Sequence, residues 1–461
     1  MSMKRAKLFS LCLAIFMLVS LVACSTETGE LPETETATAT EIAESEFTSI
    51  IEESTLGIVT ETETATETAV ETALDSESVN VSDTETEAKT DTEAVTETET
   101  ETETVTETET VTESAESGEI SEENSSESEE TEVGLDITDC YDLVSICYSV
   151  WFDGILGEGD QPVTDFYNIA EVLAGRQEWG KEGQFHYWGK PAQGYYRSTD
   201  KQAIRNNMTL LAAADIDFII LDYTNANDGY VSNAAHGETW AFAPLRAICE
   251  TIVEMRAEGK KTPYVVLWCG QSEGVLIDAF YQRFYTVEEW RDCFVYWDGK
   301  PFMISTKPTD SFPRHELFTV RHMWGLTDER CWRFLNVDNS KTVYVNDGVV
   351  EQLSVATATQ ETYMSEPTAH GRDGGRFFYK QWKTAFKYHP KVVTVTWWNE
   401  WAAQRFIVDG KTTFVDNYTQ EYSRDIEPME GGHGDLYYRW LCEYVRAYKA
   451  GDTCPELYEE N

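Results

Sequence analysis

Positive charge is scarce in this sequence: 35 lysines and arginines stand against 83 aspartates and glutamates, a formal net charge of −48 over 461 residues. A nucleic-acid partner is therefore not expected, because phosphate contacts need a basic footprint. Ten cysteines are present, but none forms a CxxC pair or a Cys/His ligand spacing, so a zinc centre is not expected and no cofactor is read from the pattern. The glycine-rich phosphate turn of a dinucleotide-binding sheet is also missing: "VWFDGILGEGD" follows the first apolar run of the aromatic-rich region, and it is not GxGxxG. The apolar run "LFSLCLAIFMLVSLVA" is short for a comfortable membrane span.

That run follows Lys4, Arg5 and Lys7 and ends in "LVAC", with Cys24 last. Residues 1–23 read as a lipoprotein export signal, with Cys24 as the residue that takes the lipid and anchors the chain to a bacterial membrane. Residues 24–134 follow as a Thr/Glu/Ser/Ala tract, including "TETETETETVTETETVTES". Against its 35 acidic residues stands the single Lys89, so roughly −34 of the net charge lies here. Such a stretch cannot bury enough apolar surface to offset its ordering entropy, and like charges extend it. It reads as a solvated stalk that holds the rest of the chain outside the cell.

Residues 135–461 carry nearly all the tryptophan, tyrosine and phenylalanine and read as one large domain. Apolar, β-branched runs at 146–152, 217–224, 263–269, 301–306, 318–323, 353–359 and 392–398 alternate with helical patterns at 200–214, 244–258, 274–285, 376–388 and 435–449. The alternation predicts parallel strands joined by helices. Seven strands in this length suit a (β/α)8 barrel, although no eighth strand is evident. Cys269, in "YVVLWCG", and other cysteines in apolar runs are expected to be buried thiols.

In such a barrel the chemistry gathers at the C-terminal ends of the strands. This would bring together Trp151 and Asp153; Asp222, Tyr223 and Asn225; Trp268 and Gln271; and, from "TVTWWNEWAAQRF", Trp398, Asn399, Glu400 and Trp401 with Arg405. Carboxylates, amides and indoles together suit a sugar, with hydrogen bonds for hydroxyls, flat faces for C–H groups and acids for the glycosidic oxygen. Each residue also has a structural reading. Asp222 can cap a helix or pair with an arginine. Glu400, walled by indoles, can be an acid or base with a raised pKa whose ionised form Asn399 or Arg405 holds, or a structural carboxylate pinned by Arg405. Trp397 and Trp398 point to opposite faces, so one belongs to the core. His186, in "QFHYWGKP" beside Trp188, is as readily a satisfied loop histidine as a ligand. The acid-rich stretch 414–438, with Glu421, Arg424, Asp425, Glu427 and His433, reads either as a solvated loop or as a binding lip. "NANDGY" faintly resembles a calcium loop.

Several stretches resemble glycoside hydrolase family 99, the endo-α-mannosidase family, and the related WbsX-type proteins of polysaccharide loci. They are "HYWGKPAQGYYRSTDKQAIRNNMTLLAAADIDFIILDYTN", "YWDGKPFMI" and "WNEW". The resemblance implies a (β/α)8 fold and cleavage of glycosidic bonds. It assigns Glu400 to catalysis through the 2-hydroxyl of the sugar and places a general acid three residues later. That position is Ala403, which cannot protonate a leaving group. The acid then comes from elsewhere, with Asp222 and Glu427 as the expected sources, or the domain binds an oligosaccharide or polysaccharide without cutting it.

Overall fold

The computed structural model describes residues 133–156, 167–270, 272–327, 330–362, 368–416 and 419–458. The expected signal, Cys24, the stalk up to residue 132 and Gln271 lie outside the described residues. The strands that matter here are β1 (Leu143–Tyr148), β2 (Phe185–Tyr187), β3 (Phe218–Tyr223), β4 (Tyr264–Cys269), β5 (Val295–Trp297), β6 (Lys300–Ser305), β7 (Thr319–His322), β8 (Tyr344–Asn346), β9 (Val349–Ala356), β10 (Val392–Thr396), β11 (Ala402–Val408) and β12 (Lys411–Phe414). The main helices are α1 (Lys201–Ala213), α2 (Ala243–Ala257), α3 (Val275–Phe280), α4 (Arg376–Tyr388) and α5 (Leu436–Lys449).

Seven strands pair in parallel in the spatial order β7, β6, β4, β3, β1, β10, β9. Each of the seven apolar runs contributes one of them. Parallel sheets are buried on both faces, which explains why "FIILDY" and "YVVLWC" are nearly continuous apolar runs. Alternate side chains sort into two cores. Ile219, Leu221 and Tyr223 pack with Ile204, Met208, Leu245 and Ile248 of α1 and α2. Phe218 and Ile220 pack instead with Val266, Trp268, Phe302 and Trp397, in a cluster with no residue from these five helices. The helices follow their sequence signals. Asp200 caps α1 through the amides of Gln202 and Ala203, and α4 stops at His389, left-handed at φ 43°, just before Pro390.

The place between β7 and β9 is filled without a regular strand. Residues 331–335, "CWRFL", are buried there. Trp332 pairs in parallel with Met323 at the end of β7. On the other side the Gln352 side chain of β9 stands in for a ladder, with its oxygen accepting from Arg333 N at 3.0 Å and its nitrogen donating to Arg333 O at 2.7 Å. Glu351 completes the seam. It accepts from Arg321 Nε at 2.7 Å and Nη2 at 3.1 Å, from Trp332 Nε1 at 2.7 Å and from Asn346 Nδ2 at 3.1 Å.

Three Asp-Gly pairs shape the hairpins. Asp298-Gly299 joins β5 to β6, Asp347-Gly348 joins β8 to β9, and Asp409-Gly410 joins β11 to β12. In each, both residues have positive φ, as a type I′ turn requires, and Gly and Asp tolerate this region best. The third hairpin belongs to a second sheet in the order β12, β11, β2, with Tyr167–Asn168 at its edge. This sheet was not expected, and it carries the chain onward from Glu400.

Candidate active site

β3 and β10 position the site. Along β3, Asp222 falls on the side of Phe218 and Ile220, away from the helices, and it stands in register with Trp268 of β4. Asp222 is half-buried; its Oδ1 accepts from Thr224 N at 2.9 Å, and burial pushes its pKa up to about 6. β10 ends at Thr396, whose hydroxyl donates to Phe334 O. Beyond it, Trp397 N donates to Arg424 O at 3.1 Å, Trp398 N to Cys147 O at 2.9 Å, and Ile426 N and Glu427 N to Trp398 O at 3.1 and 2.9 Å. Residues 397–398 are thus bound on one side to β1 and on the other to residues 424–427. Asn399 fastens this stretch to the end of β1, accepting from Ser149 N at 2.8 Å and donating to Ser149 O at 3.2 Å and Tyr196 Oη at 3.1 Å.

Glu400 is delivered beside a buried guanidinium. Arg424 is 1% exposed and Glu400 3%; Nη2 and Nε of Arg424 reach the same carboxylate oxygen, Oε2, at 2.6 and 3.1 Å. The same Nη2 also contacts Asp416 Oδ1 at 3.3 Å, and Nη1 donates to Gln360 Oε1 at 2.6 Å. Gln360 Nε2 in turn donates to Asp416 Oδ1 at 3.2 Å. One guanidinium is shared by two carboxylates. Burial raises the proton affinity of Glu400, Arg424 works against this, and the charges of Asp416 and Asp425 add to it; the net direction is upward. Asp416 is raised by burial too. Asp222 feels the charges of Asp416 and Arg424, so the acid of β3 belongs to the same electrostatic group.

Below and beside this group lie two more acids. Asp425 is fully buried and accepts from Trp188 Nε1 at 2.8 Å. Glu427, 1% exposed, accepts from Gln193 Nε2 at 2.6 Å, Tyr196 Oη at 2.8 Å and Trp401 Nε1 at 2.5 Å. Burial pushes both up to about 7. The Trp188 and Trp401 rings stack with centroids 5.1 Å apart. Trp397 and Trp268 lie 6.2 Å apart in the inner cluster. Arg372 holds the loop that presents these acids, donating to Gln420 O, Ser423 Oγ and Asp425 O.

The structure therefore brings together Asp222, Trp188, Trp268, Asn399, Glu400, Trp401, Arg424, Asp425 and Glu427. Other expected residues are placed differently. Arg405 does not pin Glu400; it donates to Gly180 O and Thr412 Oγ1 and lies over the Trp179 ring, and Arg424 takes the pairing role. Trp398 packs in the outer core against Tyr438 of α5, while Trp397 faces inward. His186 is a buried histidine of β2, both ring nitrogens 3.0 Å from the carbonyls of Gln184 and Trp179. Tyr223 is core and donates to Ala241 O. Asp153 binds the amide and hydroxyl of Thr199. Trp151 stacks on Phe152. Asn225 is exposed, and the exposed Glu421 accepts from Asp373 N. Residues 424–427 are no solvated loop but the buried back of the site. Asp416 and Gln360 were not anticipated; the Asp409-Gly410 turn was the signal that could have led to Asp416.

Among the described residues, no group of three or more His, Cys, Asp or Glu is placed to hold a metal ion. No family model matches the chain, and no curated protein is significantly similar to it. Among solved structures it is similar to the GH99 endo-alpha-mannosidase from Bacteroides thetaiotaomicron, with 11% identity and a TM-score of 0.44 over 67% of this chain and 98% of that one. The same enzyme in complex with bis-tris-propane gives 12% identity and a TM-score of 0.40, with 67% and 98% covered. A glycoside hydrolase-like protein gives 10% identity and a TM-score of 0.41, with 67% of this chain and 95% of that one covered.

Proposed function

We propose that this chain is a glycoside hydrolase that cleaves bonds in a polysaccharide or complex glycan by carboxylate chemistry, on a (β/α)8 barrel whose eighth place is taken by residues 331–335. The observation that carries this reading is the shared guanidinium. Arg424 gathers Glu400 and Asp416 onto one nitrogen at the C-terminal ends of the parallel strands, with Asp222 in the same electrostatic group. The two carboxylate oxygens on that nitrogen are separated by no more than the sum of their 2.6 and 3.3 Å contacts. Two carboxylates gathered on one nitrogen leave little room for the water that inverting enzymes seat between carboxyls roughly 6.5–9.5 Å apart, and retention of anomeric configuration is the outcome we infer. Glu400 serves as the acceptor that acts through the sugar's 2-hydroxyl, as the resemblance implies. Arg424 holds the charge it needs.

The test is release of reducing ends by the full-length chain from a panel of neutral, acidic and amino glycans. Retention is read by NMR of the first-formed anomer. A second reading, glycan capture without cleavage, draws on Ala403, which stands where the resemblance expects an acid. Tight binding with no product over hours would favour capture; product formation removes it.

We propose further that Cys24 carries the lipid that tethers the domain to a bacterial membrane, outside the cell and on a stalk of residues 25–134. Among the described residues no helix is long and apolar enough to cross a membrane. Metabolic labelling with an alkyne fatty acid should mark the chain and fail to mark Cys24→Ser; equal labelling of both would remove this assignment.

A further inference from the structure

We propose that Asp416 is the catalytic acid and base of this site, delivered from the strand neighbouring the one on which the sequence pattern leads one to look for it. This inference rests on the glycoside hydrolase reading.

Glycosidic cleavage needs a carboxyl that a sugar can touch, close to a second carboxyl. Glu400, Asp425 and Glu427 are each 3% exposed or less, and both oxygens of Glu427 already accept hydrogen bonds. Asp416 keeps 28% of its side chain exposed and sits on the same Arg424 nitrogen as Glu400. Asp222 is half-buried as well, but its Oδ1 is turned to the amide of Thr224, two residues on.

The chain path gives an independent reason. β11 leaves Glu400, turns at Asp409-Gly410 and returns as β12 with Arg405 opposite Phe414. Val415 N then donates to Gln404 O at 3.0 Å, which carries the same register one pair further. Asp416 follows directly, where the chain leaves the strand in a left-handed turn at φ 66°, one residue beyond that contact. The returning strand thereby brings an acid to Arg424 and Gln360, with Asp416 Oδ1 3.3 Å from Arg424 Nη2 and 3.2 Å from Gln360 Nε2. Ala403 itself is buried, paired with His186. Geometry divides the roles: Glu400 is fixed by two Arg424 bonds shorter than the contact with Asp416, while Asp416 is the more exposed of the two and is the one placed to exchange a proton with a glycosidic oxygen.

In the first step the Asp416 proton moves to the glycosidic oxygen as the C1–O bond breaks, the bonding pair leaving on that oxygen. Glu400 meanwhile takes the 2-hydroxyl proton, and O2 closes onto C1. In the second step water adds to C1 as the C1–O2 bond breaks and its pair returns to O2; the water gives its proton to the Asp416 carboxylate, and O2 recovers its proton from Glu400. No oxidant, reductant or metal enters the balance.

The experiment compares wild type, Asp416→Asn and Asp222→Asn as full-length chains, on the best substrate of the glycan panel and on its aryl glycoside with a good leaving group. Asparagine tolerates the left-handed conformation of Asp416, φ 66°, so the fold should survive; melting is measured alongside, with Asp416→Ser as a second variant. Asp416→Asn should lower kcat at least about 10²-fold on the natural leaving group and far less on the activated one, with azide restoring turnover as a glycosyl azide of retained configuration. Equal losses on both leaving groups, or the leaving-group signature at Asp222→Asn instead, would overturn the assignment while leaving a glycosidase. A wild-type chain that cleaves nothing in the panel would overturn the glycosidase reading, and Asp416 with it.

Discussion

Replacing each half of the Glu400–Arg424 pair should have opposite consequences. Arg424→Met removes the cation that Glu400 and Asp416 share, the first 3% exposed and the second 28%. Leaving a buried charge without its partner costs about 3–5 kcal/mol. For a folded part of roughly 330 residues the unfolding entropy is about 0.7 kcal/mol/K, which converts that loss into a Tm lower by about 4–7 °C. Glu400→Gln differs because Arg424 keeps Asp416, Gln360 and the amide oxygen of the new glutamine. The proton affinity of Glu400 is already raised by burial, so a neutral group there loses about 1 kcal/mol or less. Turnover, in contrast, should fall at least about 10²-fold. Lowering the pH separates the two further. With Arg424 gone, Glu400 and Asp416 bind protons readily, so the melting deficit of Arg424→Met should shrink between pH 8 and pH 5. Calorimetry and turnover on both variants are the assay. Equal Tm losses in the two, or a deficit in Arg424→Met that ignores pH, would refute the picture of one guanidinium neutralising two carboxylates.

Three further outcomes are expected. Glu351→Ala strips Arg321, Trp332 and Asn346 of a common acceptor and should cost about 3 kcal/mol, or about 4 °C in Tm; unchanged melting would mean the seam is held by other contacts. Asn399→Ala frees both backbone groups of Ser149 and should cost about 1–3 kcal/mol by denaturant unfolding, whereas a loss below a few tenths would show that water replaces the amide. Asp425 and Glu427 have pKa values of about 7 in the folded state, above the ordinary carboxylate values of the unfolded chain. Their contribution to stability is therefore complete below about pH 4 and lost as pH rises to about 7, so melting at pH 5 should exceed melting at pH 8; the reverse order would contradict their burial as acids.

The parallel strands were legible because burial on both faces demands uninterrupted apolar runs, and such runs stand out at 217–224 and 263–269 without knowledge of the fold. The eighth place was not, because "CWRFL" makes its connections to β9 through the side chain of Gln352, and no local pattern encodes a borrowed ladder. Glu400, Asp222, Arg424, Asp425 and Glu427 were legible as residue types in suggestive surroundings, but their pairing was not. Arg405 is near Glu400 in sequence and sits on the second sheet; Arg424 is 24 residues away and makes the ion pair. Trp397 and Trp398 show the same limit, since alternation places them on opposite faces without saying which face is inner. Asp416 was missed because its place follows from the hairpin that turns at Asp409-Gly410, a signal the sequence reading passed over.

The lashing of Ser149 to Asn399 also governs when this site can come into being. The partners are 250 residues apart, Trp188 and Asp425 are 237 apart, and Tyr196 and Glu427 are 231 apart. Loops of that size close late, after local elements have formed. A growing chain that has made β1 through β9 still has β1 unpaired along the side that β10 will cover, and an uncovered edge of apolar parallel strand invites pairing with other chains. Nothing resembling the acid cluster exists at that stage, for Glu400, Asp416 and Arg424 all arrive afterwards. Assembly of the site is thus coupled to the arrival of β10 and the residues that follow it, and a chain cut short before β10 would have no weakened site, only the open sheet edge.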